Sequence, residues 1–328
     1  MSDPWYLVAD IGGTNARFAA FHGRRKMEVQ VFDSKHGGDL LDMARKFCQE
    51  ALPETPTVAV VAAAGPVKDN ALHLTNANRS LCGSELREAT GAQQAFIIND
   101  FAAAAWSTLV IPPENLTILS EGEDSDPGTR LVVGPGTGLG VGALAYVDGS
   151  YHGISGEGGH VGVGPRNQHE FKVFEALKSL WPDVFFGDAL TAEAEGLLSG
   201  TGLPYLYRAV QLAHQADGPA LDPREIFAKA RDASDPFAVE TIDIFKTRIA
   251  QVSADLALAF GARGGVYFVG GIAMKNPWIF DDAFLEAFHS GGRFTKQRKA
   301  IGVHLVNEPD FGLLGAHRYM EEASKRSS

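Results

Sequence analysis

Twice along this chain an apolar run breaks into a glycine-dense turn and resumes as an alternation of small apolar residues. Residues 131–144, LVVGPGTGLGVGAL, predict a strand, a tight loop of phosphate size and the returning strand of a hairpin. Residues 7–20, LVADIGGTNARFAA, have the same shape: Leu7 and Val8 match Leu131 and Val132, and Gly12 falls where Gly136 does. Two copies imply a duplicated fold. Glycines let main-chain N–H groups approach an anion closely, so two such hairpins can face each other across a phosphate chain.

The remaining pattern is that of an α/β protein. Residues 17–21 continue the first hairpin as a strand and turn at His22-Gly23-Arg24. Residues 40–52 place Leu40, Leu41, Ala44, Phe47, Cys48 and Ala51 at helical spacing, and Pro53 ends that helix. Residues 57–64, TVAVVAAA, predict a buried strand that closes on Gly65-Pro66. Residues 76–80 read as a polar loop and 85–89 as the start of a helix. A short strand over 95–98 then delivers Asn99-Asp100 at its carboxyl end, where open α/β sheets line their ligand crevices. The same pair suits the N-cap of a helix over 101–107, and one residue can do both.

Ile111-Pro112-Pro113 and the polar run 121–128 mark a shift in composition, and the domain boundary is placed near Pro112. Residues 155–162, SGEGGHVG, are too glycine-rich for a helix and present Glu157 and His160 three apart; standing alone, such a loop is an ordinary solvated turn. Helices are predicted over 170–180 and 190–198, the second with Glu193 and Glu195 near its C-terminal end, where a carboxylate opposes the helix dipole. Residues 237–260 form the longest periodic helix. A strand over 266–272, VYFVGGI, ends in Gly270-Gly271, a third place where backbone can approach a flat or anionic ligand. Residues 312–316 open a final helix whose charged end, 321–325, is expected to fray.

Length and charge narrow the classes. The 328 residues fit about two domains of ordinary size, and a net charge of -11 without a basic tract argues against a nucleic-acid surface. The N-terminal MSDPWYLVAD lacks the basic and apolar segments of a secretion signal, and no run is long and charge-free enough to span a bilayer, so a cytoplasmic protein is expected. Cys48 and Cys82 lack metal-ligand spacing and read as two reduced thiols.

These segments resemble the bacterial glucokinases of the hexokinase, heat-shock-protein-70 and actin superfamily, in order and over nearly the whole chain. ADIGGTNARFA is similar to that family's first phosphate motif, VVGPGTGLGVG to its second and FVGGIA to its adenosine motif; IINDF, SGEGGHVGVGP and EGLLSGTGL resemble its sugar-site segments, and LTN and FGLLGAHRY also match. The resemblance implies two ribonuclease-H-like (actin-like ATPase) α/β domains around a hinged cleft. The smaller would span 1–111, with a C-terminal helix over about 312–328 returning to it, and the larger 112–311. It implies ATP-dependent phosphorylation of D-glucose at the 6-hydroxyl, feeding glycolysis, in a homodimer that binds neither nucleic acid nor membrane.

Carried over residue by residue, Asn99, Asp100, Glu157, His160 and Glu195 would hydrogen-bond glucose, with Asp100 as catalytic base. Asp10, Gly12, Gly13 and Thr14 would meet the terminal phosphates of ATP, with Mg2+ held by Asp10 through water. Gly136, Thr137 and Gly138 would lie opposite, and Gly270 and Gly271 would border adenosine. The chain departs from the family at Ala77-Asn78-Arg79, where a tryptophan is frequent, and at Gly156 in the sugar loop; both bear on sugar preference and closing contacts. Two other readings are a non-catalytic sugar-sensing regulator, or a kinase for a related hexose. A regulator would bring a helix-turn-helix ahead of the first strand, which here begins by Tyr6. An actin-like or chaperone ATPase would bring a polymerising surface or a peptide-binding domain, and neither is evident in the sequence.

Overall fold

The first glycine hairpin pairs as its alternation predicts: β1 (Trp5–Ile11) and β2 (Asn15–His22) run antiparallel, with Asp10 opposite Arg17. The computed structural model describes all residues except 1–3, 14, 35–38, 53, 75–78, 124–126 and 327–328. Thr14 and most of the LTN segment therefore lie outside the described residues. After β3 (Arg25–Asp33) comes α1 (Leu40–Ala51), capped by Asp39, whose carboxylate accepts from the Leu41 N–H at 3.1 Å. Then follow β4 (Val58–Ala63) and a small antiparallel sheet of β5 (Val67–Lys68), β6 (Ala71–Leu74) and β7 (Arg79–Cys82). The predicted loop thus ends early, because Arg79 and Ser80 pair with Leu74 and His73. α2 (Gly83–Thr90), β8 (Gln94–Asn99) and α3 (Asp100–Ser107) complete this half.

The second half repeats the pairing. β9 (Leu116–Ser120) precedes the second glycine hairpin, β10 (Arg130–Pro135) and β11 (Leu139–Val147), and β12 (Ser150–Ser155) pairs antiparallel with β11. β13 (Gly162–Val163), α4 (Gln168–Leu180), β14 (Ala192–Glu193), α5 (Ala194–Leu197), α6 (Leu203–Ala213), α7 (Pro223–Arg231) and α8 (Pro236–Phe260) follow. The chain ends with β15 (Val266–Phe268), α9 (Gly271–Lys275), α10 (Asp282–His289), α11 (Thr295–Lys299), β16 (Val303–Val306) and α12 (Phe311–Arg326). The first sheet has the order β3-β2-β1-β4-β8 and the second β12-β11-β10-β15-β16-β9. In each, two antiparallel pairings lead to a central strand and two parallel pairings lead away from it; β9 adds an antiparallel edge to the second.

Three predicted elements are corrected. The helix over 190–198 is a two-residue strand, β14, followed by one short helix, α5, because Ala192 and Glu193 are drawn into pairing with Val163 and Gly162. Glu195 therefore sits in a first helical turn, where a carboxylate suits the dipole. The strand over 266–272 stops at Phe268; Gly270, at φ +91°, turns the chain into α9. The charged tail stays helical to Arg326, with Glu321 bridged to Arg24 at 3.2 Å and Arg318 to Glu322 at 3.3 Å.

α3 joins the two sheets. Its Ala103 is buried with Val8, Ala19 and Leu313 of the first sheet and α12, whereas Ala104, Ala105 and Trp106 are buried with Val132, Leu144 and Tyr267 of the second. α12 packs across α3, β1 and β4. Gly140 gives the helix its seat, since a Cβ there would overlap the Phe101 ring. Cys48 and Cys82 are free thiols. Among the described residues no helix is long and apolar enough to cross a membrane.

Candidate active site

β8 hands the chain directly into α3, and the two residues at that junction divide the work of ending one element and starting the other. Asn99 is the N-cap: its Oδ1 accepts from the N–H groups of Phe101 and Ala102, both at 3.0 Å, and its Nδ2 donates to the Gly65 carbonyl at 3.1 Å. Asp100 is the first helical residue and its Oδ1 accepts from the Phe101 N–H next to it, at 2.9 Å. Asp100 also lines a cavity. Burial, with the charge of Glu157 adding to it, holds the Asp100 carboxyl above the usual aspartate range, against the lowering effect of the Phe101 and Asp100 N–H groups.

The opposite wall is built by the second half. Residues 157–163 and 192–195 are tied by the β13–β14 pairing and by the Ala194 N–H, which donates to the Val161 carbonyl at 2.9 Å. The glycine-rich segment contains a 3-10 turn, Gly158–His160, not the irregular loop that its composition predicts. Its backbone lies flat on β11, where a Cβ at Gly159 would overlap the Leu139 carbonyl. His160 Nδ1 lies 3.1 Å from Glu193 and Nε2 lies 3.9 Å from Glu157. The Glu193 bond raises the His160 pKa above its ordinary value, with the charges of Glu195 and Glu157 adding and partial burial opposing. Glu193 does not line the cavity and meets the candidate site through the imidazole alone.

Glu195 turns from this wall to the second glycine loop and accepts from the Leu139 N–H at 2.8 Å. The loop is also held from behind. The Gly200 N–H donates to the Gly136 carbonyl at 2.8 Å, and the Thr201 hydroxyl to the Thr137 carbonyl at 2.9 Å. The SGTGL segment therefore shapes the loop and is not among the residues that line the cavity of Asp100 and Glu195.

Two cavities meet at this loop. One, of about 330 Å³, is lined by Asn99, Asp100, Glu157, His160, Glu195 and Gly270 together with Gly136, Thr137 and Gly138. The other, of about 620 Å³, shares Gly136 and Thr137 and extends past Gly271 to Arg224, Phe227 and Arg231 of α7 and Lys275 of α9. The α7 residues are not among the sequence candidates, yet Asp222-Pro223-Arg224-Glu225 is a capping box that announces the helix, and it forms: the Glu225 N–H donates to Asp222 at 2.9 Å. Gly12 and Gly13 line neither cavity and are exposed. Burial pushes the Asp10 carboxyl up to about 6, with the charge of Asp100 adding and Arg17 opposing. Arg17 in turn donates to the Pro309 carbonyl at 2.8 Å and pairs with Asp310, so β2 is fastened to the start of α12.

A mixed α/β fold that brings a carboxylate-lined polar cavity to a glycine loop defines the class of α/β sugar kinases, and comparison with known proteins agrees. The glucokinase family profile matches residues 7–323. A glucokinase of Rhizobium leguminosarum bv. trifolii is 33% identical over 317 residues, covering 95% of this chain and 90% of the relative. Among solved structures, a glucokinase from an Antarctic psychrotroph superposes with a TM-score of 0.85 at 28% identity, over 98% of this chain and 100% of the other. The glucokinase of Balamuthia mandrillaris, solved with glucose, shares the fold at a TM-score of 0.81 and 21% identity, over 97% and 94% of the two chains. The chain belongs to the glucokinase family.

Proposed function

We propose that the smaller cavity binds D-glucose, that the larger receives the adenosine of ATP, and that phosphoryl transfer to the 6-hydroxyl occurs at the 136–138 loop common to both. The observation that carries this reading is the convergence of Asp100, Glu157, His160 and Glu195, from two halves of the chain, on one cavity beside that loop. Four polar side chains and the amide of Asn99 suit a polyol, because each buried hydroxyl needs a partner. An alcohol is a weak nucleophile at neutral pH. Asp100, which lines this cavity and has its basicity raised by burial, takes the hydroxyl proton as the bond to phosphorus forms.

Asp10 fits Mg2+: a carboxylate whose ionisation is opposed by burial and by the charges of Asp100 and Asp310 is relieved by a hard dication that prefers oxygen ligands. When bound, the ion neutralises charge on the transferring phosphate. In the larger cavity, Phe227 offers an apolar face to a base, and Arg224, Arg231 and Lys275 offer positive charge that the glycine loops lack.

In this reading the two like-ordered sheets are ribonuclease-H-like domains hinged at a cleft, 1–111 with the final helix and 112–311. Glucose draws the first hairpin, with Gly12 and Gly13, toward the phosphates. The reading extends to a cytoplasmic homodimer, which sedimentation equilibrium tests by the mass of two chains. A coupled assay for ADP formation tests the reaction: ADP should appear only with glucose, and Glu157→Gln should raise the KM for glucose more than that for ATP. ADP release at the same rate without sugar would overturn the assignment.

A further inference from the structure

Away from the cleft, three helices bring two imidazoles and a carboxylate to one point. His169 stands in the first turn of α4, His214 caps the C-terminal end of α6, and Glu240 lies near the start of α8. One Glu240 oxygen accepts from His169 Nε2 at 2.5 Å and the other from His214 Nε2 at 2.7 Å. The ligand atoms of all three lie within 4.8 Å of one another, and the ring centroids are 5.0 Å apart.

We propose that this junction is a binding site for a divalent transition-metal ion, with zinc the best match. Two imidazole nitrogens and one carboxylate oxygen form a donor set that zinc accepts in tetrahedral geometry, with water as the fourth ligand. Closing the nitrogens onto an ion at about 2.0–2.1 Å takes small rotations of exposed side chains. Both imidazoles are somewhat under half exposed, so an ion and its water can enter.

The helices that carry the donors are already fixed. Next to His169, the buried Glu170 accepts from Arg166 N at 3.0 Å and Arg166 Nη2 at 2.8 Å, and pairs with Arg248 of α8. On the other side, the Tyr207 hydroxyl of α6 donates to Asp235, the N-cap of α8, at 2.7 Å, and Gln211 Nε2 donates to that hydroxyl at 3.1 Å. Preorganised donors lose little freedom when an ion binds, which favours affinity. A bound ion would staple α4, α6 and α8 without touching Asp100, so glucose turnover does not require it.

Isothermal titration of the metal-free full-length protein with zinc chloride tests the site. The expected result is one equivalent bound with a micromolar or tighter constant, weakened at least tenfold in His169→Ala and in His214→Ala, with a zinc-dependent rise in Tm that both variants lose. Far-ultraviolet circular dichroism confirms that the exposed substitutions leave the fold intact, and cobalt(II) in place of zinc should give the visible absorption of a four-coordinate ion. Failure of the wild-type protein to take up zinc, or uptake undiminished in both variants, would overturn the proposal.

Discussion

The two glycine hairpins share pairing direction and neighbours in their sheets but differ in loop length, Ile11 pairing with Ala16 and Pro135 with Leu139, and in what lies behind their loops. β1–β2 and β10–β11 are both antiparallel and both flanked by a parallel strand. The 136–138 loop is pinned by Gly200, Thr201 and Glu195, whereas the described part of the first loop is closed by the Gly12 N–H to the Asn15 carbonyl at 2.9 Å, with open space around a Cβ at Gly13. One turn is thus rigid and shared by two cavities, and the other stands clear beside a buried carboxylate. The segment between β12 and β15, which carries β13, β14 and α4 to α8, supplies Glu195, Gly200 and Thr201 and so holds the second loop in place.

That contrast can be broken or sharpened by substitution. The largest effect is expected at Gly140→Ala, whose side chain overlaps a Phe101 ring that cannot yield without moving α3; denaturant unfolding should show a loss of about 2–4 kcal/mol. A wild-type midpoint would mean that α3 does not bear on the second hairpin.

Next in size is Asp10→Asn. A folded pKa of about 6 lies above the ordinary 3.8, so the native state binds the extra proton between those values. The group's contribution to stability is fully present below about pH 4 and is lost as pH rises through 6. The neutral variant should therefore be more stable than wild type by roughly 1–3 kcal/mol above neutrality and equal to it near pH 4, while turnover falls. Thermal unfolding across that pH range checks the sign.

At Gly138→Ala the intruding methyl meets the flexible end of Glu195, so the fold survives and the bond to the Leu139 N–H is lost. Calorimetry should then show glucose binding weakened by roughly tenfold, about 1.4 kcal/mol. The smallest change belongs to the open loop. Gly13→Ala should alter stability by less than about 0.5 kcal/mol, and Gly13→Val should raise the apparent constant for ATP far more than that for glucose. Equal stability losses at Gly13 and Gly138 would erase the distinction between the loops.

Much of this was legible in the sequence where periodicity runs long enough to specify an element. The helix read over 237–260 forms as Pro236–Phe260, and the strand read over 57–64 as Val58–Ala63. Asn99 and Asp100 could be placed at a strand end by position, and only geometry separated the N-cap from the carboxylate at the first helical position. β13 and β14 have two residues each and no period to detect, so a helical spacing of leucines over 190–198 outweighed them. β3 escaped because an edge strand with one solvated face carries charged residues along with Met27, Val29 and Val31. The cavity residues of α7 carry no glycine or motif signal of their own, and the capping box Asp222–Glu225 announces only a helix. Glu193 was read as a helix-end carboxylate, and its partner His160 is 33 residues away in sequence.

The central claim is that Asp100 acts on the reacting hydroxyl and is more than a member of a helix terminus. Asp100→Asn preserves shape and one acceptor oxygen but removes a useful base, so the decisive measurement pairs steady-state turnover with calorimetry of glucose binding on that variant. Turnover should fall by roughly a hundredfold or more while glucose, still held by Asn99, Glu157, His160 and Glu195, binds within a few-fold of the wild-type constant. A variant that keeps near-normal turnover would contradict the account and return Asp100 to its place as the first residue of α3.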